Sequence, residues 1–273
     1  MNAKPRLLLD AHVHLQNESF GDDLDEVLCR AAEAGVRYLL CNGSSEEDWP
    51  SVLDLSQRYP AIIPSLGLHP WYMAQRSDRW LATLENLVRS VPCGVGEIGL
   101  DHWQTPRDDA AQEEVFAAQL NLARHLKRPA TIHCLRAWGR LIEILDSQPP
   151  LPAGFLLHAY SGPAELIERL VERNAWFSFS ANILHENHKR VRQTIACVPA
   201  DRLMLESDAP FMPPPQDRCP DSFRRSGENI RNEPAILPLV LAEAARLRSQ
   251  PPEELAAALS DNARRFLSVL IER

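Results

Sequence analysis

The sequence predicts an α/β fold, a single TIM-like (β/α)8 barrel with parallel strands and a functional site at their carboxyl ends. Short runs rich in valine, isoleucine and leucine alternate eight times with longer amphipathic stretches, which is typical of strand-helix units around a parallel sheet. The length of 273 residues fits one such barrel. We therefore expect one domain that covers residues 1–273.

The elements follow in order along the chain. Strands are predicted at 6–14, 36–42, 61–69, 93–100, 129–134, 154–159, 175–180 and 202–208. Helices are predicted at about 24–34, 46–58, 77–90, 108–126, 135–147, 163–173, 186–196, 233–246 and 253–268. Ser45, before Glu46 and Glu47, predicts the amino-terminal cap of the second helix. The long irregular stretch 211–232 follows the eighth strand, so a barrel places it at the catalytic mouth.

Composition and charge exclude several classes of protein. Hydrophobic residues make up 45% and charged residues 24%, which is close to the average for globular proteins and disfavours disorder. Apolar runs fall far short of the roughly 20 residues that span a bilayer, and the amino terminus does not resemble a signal peptide. We therefore expect a cytoplasmic protein that does not associate with membranes, and no feature indicates an obligate protein partner.

The six cysteines and the net charge narrow the function further. No Cys-x-x-Cys pair is present, so we expect mostly buried, reduced thiols rather than a structural zinc site. A net charge of −8 argues against a protein that coats nucleic acid by bulk electrostatics. It does not exclude a nuclease, because bound divalent cations can supply the positive field that holds phosphates.

The first predicted strand carries Asp10, His12 and His14 at alternate positions. Side chains two apart on a strand share a face, so both imidazoles are expected to point the same way. Burying two imidazoles side by side is costly unless they share a partner, and a divalent metal ion is the natural one. The segment therefore indicates a metal site.

The same pattern recurs at four other strands, where a polar residue interrupts or ends a buried apolar run: Glu97, His133, His158 and Asp208. Catalytic residues of barrel enzymes come from the carboxyl ends of several strands, so these groups should converge on one point with His12 and His14. The glycines that flank Glu97 allow other groups to approach it closely.

Strand position divides the predicted ligands between two divalent ions. His12, His14 and Asp208 would hold one ion, His133 and His158 the other, and Glu97 would bridge both. Two cations about 3.5–4 Å apart can stabilise both oxygens of an in-line phosphoryl displacement and acidify a bound water. Asp208 is the predicted general base.

Two further carboxylates, Asp10 and Glu206, lie on the same strand faces as predicted ligands. They are predicted to orient imidazoles or bound water from behind the ligands. The alternative for each is a structural salt bridge or hydrogen bond, and the sequence leaves both interpretations open.

Taken in order, these motifs resemble the TatD family of metal-dependent deoxyribonucleases, which is similar to the amidohydrolase barrels. The resemblance spans nearly the whole chain and rests on Asp10-Ala11-His12-Val13-His14, Gly67-Leu68-His69-Pro70, Gly96-Glu97-Ile98-Gly99-Leu100-Asp101, Ile132-His133-Cys134, His158 with Ser161-Gly162, Phe177-Ser178-Phe179-Ser180, Glu206-Ser207-Asp208-Ala209-Pro210 and Arg231-Asn232-Glu233-Pro234. It implies a barrel, divalent metal dependence and hydrolysis of phosphodiester bonds in DNA, commonly as a 3′-5′ exonuclease. It also implies that His69 lies near the scissile phosphate.

The departures from the family pattern fall near the substrate. Leu135-Arg136 stands where the family often has an arginine followed by an acidic residue, and Arg136 remains a candidate contact for substrate phosphate. Trp71 replaces a histidine, and Ala159-Tyr160 replaces a cysteine-phenylalanine pair.

Aromatic and basic residues at the predicted mouth have two interpretations each. Trp71, Trp103 and Tyr160 follow strand ends and would either stack on bases or pack in loops, and packing is favoured. The arginines of the 211–232 stretch would either position phosphates or belong to a solvated flap: Arg218, Arg224, Arg225 and Arg231.

The leading hypothesis is a deoxyribonuclease that acts on single strands or DNA ends. One alternative keeps the metal site but hydrolyses a small ester, lactone, amide or phosphotriester, and another is a non-catalytic metal-binding protein. Related barrels often bridge their metals with a carbamylated lysine, but no lysine ends a predicted strand, so Glu97 is the bridging candidate. The histidines favour Zn2+, Mn2+, Co2+ or Ni2+, whereas phosphodiester chemistry and the resemblance suggest Mg2+ or Mn2+.

Overall fold

The structure, a computed structural model, describes residues 8–223 and 230–271. Its eight parallel strands form one sheet in which each strand is hydrogen-bonded to the next: β1 (Leu8–Val13), β2 (Val36–Asn42), β3 (Ile62–Leu66), β4 (Gly94–Asp101), β5 (Ala130–Leu135), β6 (Phe155–Leu157), β7 (Ala175–Phe179) and β8 (Leu203–Leu205). Backbone hydrogen bonds join the two ends of the sheet. Asp208 N donates to His12 O, and His14 N donates to Ala209 O, both at 2.9 Å. The prediction of a (β/α)8 barrel is confirmed.

Helices alternate with the strands as predicted. They are α1 (Leu24–Glu33), α2 (Trp49–Arg58), α3 (Trp80–Ser90), α4 (Asp109–Leu126), α5 (Trp138–Asp146), α6 (Ile167–Glu172), α7 (Lys189–Cys197), α8 (Leu237–Leu247) and α9 (Pro252–Ile271). The described part of the predicted irregular stretch 211–232 contains only two short 3-10 turns, at Gln216–Arg218 and Asp221–Phe223. None of the helices in the described ranges combines the length and the apolar content that crossing a bilayer requires.

The second helix begins later than predicted. It starts at Trp49, so the prediction that Ser45 caps it is wrong. The carboxylate of Asp48 instead accepts hydrogen bonds from the backbone N–H groups of Ser44 and Ser45, at 2.9–3.1 Å. These bonds hold residues 44–48 as a turn ahead of the helix.

The inside of the barrel changes from apolar to polar toward the carboxyl ends of the strands. At the amino-terminal end, side chains from opposite sides of the sheet pack together with α9: Leu9, Ala11, Leu40, Ile63, Leu156, Trp176 and Met204, with Ala263, Phe266, Leu267 and Leu270 of the helix. Two residues further along the strands, the buried positions are Asn42, Ser65, His158, Ser178 and Glu206. The strands therefore deliver polar groups to one end of a closed apolar core.

A register shift in β1 interrupts its alternation between Asp10 and Val13. Ala11 packs in the inner cluster, whereas Val13, two residues later, packs in the cluster that faces the helices. Asp10 consequently does not share a face with His12 and His14, contrary to the strict period of two. Its partner is Ser207, beyond the end of β8.

Candidate metal centre

The six predicted ligands converge at the carboxyl end of the barrel. They come from five strands or from the segments that follow them: His12 from β1 and His14 directly after it, Glu97 from β4, His133 from β5, His158 directly after β6, and Asp208 from the segment that follows β8. All are buried except His133, which is partly exposed. The structure thus brings together every side chain in the predicted ligand set.

The first group of donor atoms surrounds one oxygen of Glu97. His12 Nε2 lies 3.0 Å from His14 Nε2, and these nitrogens lie 3.4 and 3.5 Å from Glu97 Oε2. Asp208 Oδ1 lies 3.7 Å from His12 Nε2 and 3.6 Å from His14 Nε2. Four ligands at usual metal–ligand lengths in a tetrahedron would be about 3.4 Å apart, so this donor set fits one divalent ion.

The second group surrounds the other oxygen of Glu97. His158 Nε2 lies 2.8 Å and His133 Nδ1 lies 3.2 Å from Glu97 Oε1. The two nitrogens are 3.2 Å apart. The two oxygens of the Glu97 carboxylate therefore face different sets of imidazoles.

Contacts on the far side of two imidazoles determine which nitrogen is free to coordinate. His14 Nδ1 donates to Asn42 O at 2.9 Å, so its Nε2 presents a lone pair to the site. His133 Nε2 donates to Asp101 Oδ2 at 2.9 Å, so its Nδ1 presents the lone pair. In both rings the nitrogen that faces Glu97 is the one suited to bind a metal ion.

His69 has the opposite tautomer. Its Nδ1 accepts a hydrogen bond from Trp71 N at 3.1 Å, which leaves the proton of the neutral ring on Nε2. Burial lowers the pKa of His69 to about 4, so the ring is neutral at neutral pH. The spacing of His69, Glu97 and His133 would by itself permit a metal ion. A protonated Nε2, 3.4 Å from Glu97 Oε1, is nevertheless a hydrogen-bond donor rather than a ligand.

The two carboxylates predicted behind the ligands act differently from each other. Asp10 accepts from Ser207 N at 2.8 Å and from Ser207 Oγ at 2.5 Å, and therefore holds the segment that carries Asp208. Glu206 accepts from Ala159 N at 2.7 Å and from Ser178 Oγ, and its Oε1 lies 3.5 Å from His158 Nδ1. Glu206 thus lies beside the His158 imidazole, whereas the side chain of Asp10 is hydrogen-bonded to Ser207.

At Glu97 and His158, attraction between opposite charges outweighs the effect of burial on the pKa. Burial raises the pKa of Glu97, but His69, His158 and His12 together hold that pKa well below its usual range. Burial lowers the pKa of His158, but Glu97 and Glu206 raise it well above the ordinary value. The metal-free site therefore combines the ionised carboxylate of Glu97 with the protonated imidazole of His158. A bound cation would displace the proton of that imidazole and take over its positive charge.

Sequence reasoning missed the role of Asp101, the last residue of β4. Its Oδ2 accepts from both His133 Nε2 and Trp71 Nε1 at 2.9 Å, and its Oδ1 accepts from Trp103 N at 2.7 Å. Burial raises the pKa of this carboxyl, but the hydrogen bond with His133 and those from the backbone hold it far below its usual range. Its position at the carboxyl end of a buried strand is the signal that identified the other site residues.

A cavity of about 250 Å³ opens over these groups. Its walls are His14, Ser44, His69, Trp71, Tyr72, Glu97, Trp103, His133, Leu135, His158, Asp208, Phe211 and Met212. Arg136 is exposed next to Leu135 and has a positive φ of 58°. Tyr160 is fully buried, and its hydroxyl donates to Pro163 O at 2.7 Å, so it packs in the core and does not reach the cavity.

The described arginines of the 211–232 stretch are paired with carboxylates. Arg231 is buried and pairs with Asp23 and Glu233 at 2.6 and 2.9 Å, and Arg218 lies 3.3 Å from Glu243. These contacts fasten the stretch to neighbouring elements and favour a structural role over phosphate binding. Arg224 and Arg225 lie outside the described residues.

Comparison with known proteins gives a consistent result. A family model described as TatD related DNase matches residues 9–268. The 3′-5′ ssDNA/RNA exonuclease TatD of Erwinia tasmaniensis is 33% identical over 265 residues, covering 96% of this chain and all of the relative. A protein named as the uncharacterized metal-dependent hydrolase YabD of Bacillus subtilis is 29% identical, with 96% and 100% of the two chains covered. The crystal structure of YJJV, a TatD homologue from Escherichia coli, superposes with a TM-score of 0.86 at 29% identity, over 95% of this chain and 97% of the other.

Proposed function

This chain belongs to the TatD-related DNase family of metal-dependent hydrolases, and from that premise we propose that it removes nucleotides from the 3′ ends of unpaired DNA strands with two divalent ions. The observation that carries the proposal is the division of the two Glu97 oxygens between two groups of donor atoms. The relative from Erwinia tasmaniensis, named as a 3′-5′ exonuclease on single-stranded DNA and RNA, supports the substrate and the direction. A cytoplasmic location is part of the same proposal.

Neighbouring strands would supply the ligands of each ion, β1 and β8 for one ion and β5 and β6 for the other, with β4 between them. His12, His14 and Asp208 would hold one ion, His133 and His158 the other, and Glu97 both. When bound there, two divalent cations would acidify a water molecule and stabilise the charge that develops on the attacking and leaving oxygens. We propose Mg2+ or Mn2+, since the donor set mixes carboxylate oxygens with imidazole nitrogens.

Three side chains act on the substrate directly in this proposal. Asp208 accepts the proton of the attacking water; burial raises its pKa, but contacts with His14 and His12 lower it below the usual value and keep the carboxylate ionised. His69 donates its Nε2–H to an oxygen of the scissile phosphate, because its Nδ1 is already occupied by Trp71 N. Arg136, exposed at the end of β5, contacts a phosphate further along the strand.

The small-ester alternative is less well supported. Relatives that act on such substrates often use a carbamylated lysine as the bridge, but neither lysine in the described ranges approaches the cavity. Lys127 directly follows α4 and Lys189 begins α7, and Lys4 lies outside the described residues. Glu97 occupies the bridging position instead. A non-catalytic role is less well supported, because the side chains that we propose as ligands and base lie together at one cavity.

The proposal is tested with protein stripped by EDTA and reloaded with Mg2+, Mn2+, Zn2+, Co2+ or Ni2+. The substrates are single- and double-stranded DNA labelled at either end, RNA, and small phosphodiesters and carboxylic esters. We expect stepwise shortening of single-stranded DNA from its 3′ end. Asp208→Asn and Glu97→Ala should lower kcat by at least about 100-fold, as expected when a general base or a metal bridge is removed.

Asp261→Asn is the matched control, because Asp261 is exposed on α9 and pairs only with Arg264 among the described residues. It should retain the activity of the parent protein. Nuclease activity that survives unchanged in Asp208→Asn and Glu97→Ala would contradict the proposed site. Hydrolysis of small esters without hydrolysis of DNA would favour the alternative function.

A further inference from the structure

Four exposed aromatic side chains surround the cavity above the metal centre. Trp71, Tyr72, Trp103 and Phe211, here called the aromatic rim, are 42%, 37%, 55% and 50% exposed, and all four line the cavity. Within residues 8–223 and 230–271, only two other large hydrophobic side chains are exposed, Val269 and Ile271, and both lie on α9. Exposed apolar surface is therefore concentrated where the substrate must enter, which is typical of a binding site.

The aromatic rim is attached to the groups that form the metal centre. Asp101, which holds the imidazole of His133, also accepts hydrogen bonds from Trp71 Nε1 at 2.9 Å and from Trp103 N at 2.7 Å. Phe211 N donates to Asp208 O at 2.8 Å, and the Phe211 ring packs edge-on against His14 with centroids 5.6 Å apart. The rings are thus positioned relative to the reacting groups rather than placed on an independent loop.

The charge of the cavity indicates what the aromatic rim contacts. Among the described residues, no lysine or arginine lines the cavity, and the whole chain carries a net charge of −8. The described walls of this cavity therefore offer phosphates no cationic side chain, and the interaction that these walls can provide is apolar contact. Nucleobases offer flat apolar faces, and those faces are accessible in an unpaired strand but covered by neighbouring base pairs inside a duplex.

We propose that the aromatic rim is a subsite for the nucleobases of an unpaired strand, in which Trp103 and Phe211 stack on the bases next to the scissile phosphate. The subsite gives the enzyme its preference for unpaired ends. This inference rests on the proposed function, because it assigns a substrate contact to the same hydrolytic site. Trp71 forms the adjoining wall, held in place by Asp101.

A consequence of stacking without basic side chains is weak dependence on salt. Each phosphate that a lysine or arginine neutralises on a single strand adds about −0.7 to the slope of log K against log salt concentration. We assign one such contact, that of Arg136. We therefore expect a shallow slope for single-stranded DNA, and we set its limit at about −2, the value for three such contacts. Fluorescence anisotropy of a labelled oligonucleotide in EDTA measures this slope without hydrolysis, and a steeper slope would contradict the stacking subsite as the main source of affinity.

The decisive experiment compares two oligonucleotides that differ only in their bases. One is an ordinary single strand, and in the other the two nucleotides at the 3′ end are abasic tetrahydrofuran residues. For the parent protein, kcat/KM should be about 5- to 150-fold higher on the ordinary strand than on the abasic one, as expected for stacking on one base. The difference should lie in a lower KM for the ordinary strand. Trp103→Ala and Phe211→Ala should each reduce this ratio toward 1, whereas Trp103→Phe, which keeps an aromatic face, should retain most of it. Val269→Ala, which removes an equally exposed side chain on α9, should leave the ratio unchanged.

The outcomes separate this inference from the proposed function. A parent protein that hydrolyses both oligonucleotides equally, or alanine variants that keep the full ratio, would overturn the stacking subsite and leave the hydrolysis in place. If the parent protein hydrolyses neither strand, its binding to the ordinary and abasic strands is compared by fluorescence anisotropy in EDTA, and this comparison tests the subsite. Tighter binding of the ordinary strand that both alanine variants lose would support the subsite while the hydrolysis proposal fails, and equal binding would overturn the subsite.

Discussion

An imidazole of the candidate metal centre can bind an ion only through a nitrogen that carries no proton, so the position of the ring proton decides what each histidine can do. Asn42 O fixes His14 and Asp101 fixes His133, so that each ring presents a lone pair to the site. Trp71 N fixes His69 in the other tautomer, which makes it a donor. Of these three histidines in one cavity, two can therefore bind a metal ion and the third can donate a hydrogen bond, because their hydrogen-bond partners differ.

Replacing Asp101 by asparagine should weaken metal binding. Either orientation of the introduced amide turns its NH2 group toward two donors. These are His133 Nε2–H and Trp71 Nε1–H in one orientation, and the backbone N–H groups of Trp103 and Gln104 in the other. We expect an ion affinity about 10- to 100-fold lower, the usual effect of losing the partner of a ligating histidine. Titration calorimetry with Mn2+ measures the change. Asp109→Asn, an exposed carboxylate that pairs with Arg107, is the control, and equal affinities in Asp101→Asn and this control would refute the role of Asp101.

Metal binding should release protons at neutral pH. The pKa of His158 lies well above its ordinary value because Glu97 and Glu206 outweigh the effect of burial, so the metal-free protein holds a proton there that coordination must displace. Affinity should therefore rise with pH up to that raised pKa and fall as pH is lowered. Calorimetry in two buffers with different ionisation enthalpies counts the protons. Glu206→Gln should lower the count, and heats that do not depend on the buffer would contradict the charge state described here.

At the level of elements, β4 and β5 must approach each other closely for Glu97 and His133 to meet. Gly99 has φ = 149°, and a Cβ there would lie 1.9 Å from His133 O. A Cβ on Gly96 would lie 2.7 Å from Thr131 Cβ. The two glycines that flank Glu97 thus allow close packing of the strands directly beneath the site, in agreement with the expectation from sequence.

Two glycine-to-alanine changes should have opposite effects on stability. Gly99→Ala forces the strands apart and should lower the free energy of unfolding by at least about 2 kcal/mol, as overpacking a rigid core does. Gly139→Ala in α5, where a Cβ meets no atom within 4 Å, should raise it by about 0.5 kcal/mol, because alanine favours the helix. Urea unfolding of the metal-free proteins compares them. A Gly99→Ala protein as stable as its parent would show that β4 can move away from His133 at little cost.

At the ends of β5, β6 and β8 the backbone adopts a conformation that the sequence pattern did not predict. Arg136, Ala159 and Asp208 all have positive φ values, of 58°, 43° and 55°, although none is a glycine. At these points the chain leaves the sheet, and the predicted strands at 154–159 and 202–208 shrink to three residues each. Residues held in this region of the φ/ψ map concentrate at functional sites, where surrounding contacts maintain them.

For the whole molecule, the candidate metal centre draws its side chains from strands that are far apart in the chain. Its donor atoms come from both ends of the sheet, β1 and β8, and from β4, β5 and β6 between them. Ions bound there should therefore stabilise the closed barrel as a unit, because the unfolded chain cannot keep these donors together.

Adding metal should consequently raise resistance to unfolding. At an ion concentration 100 times the dissociation constant, each site should add about 2.7 kcal/mol to the free energy of unfolding. Urea midpoints measured in EDTA and in Mn2+ test this expectation. Glu97→Ala, which removes the shared ligand, should lose most of the increase, whereas Asp261→Asn should keep it. The same midpoint for the parent protein in EDTA and in Mn2+ would argue against a built metal site.

The sequence by itself determined the barrel and the set of six converging side chains. Eight alternations of apolar runs with amphipathic stretches in a chain of 273 residues favour a closed barrel, in which all the parallel strands end on the same side. A polar residue at the end of a buried strand therefore lies near every other such residue, whatever their separation in the chain. Asp101 satisfied the same criterion and could have been found in this way.

Only the tertiary structure decided what each group contacts. It paired Asp10 with Ser207 through the register shift in β1, placed Arg231 in a buried ion pair, and put the proton of His69 on Nε2. These outcomes depend on distances of a few ångströms between residues remote in sequence. Local periodicity describes which face a side chain occupies, but hydrogen bonding depends on the atoms that the rest of the fold brings to that face.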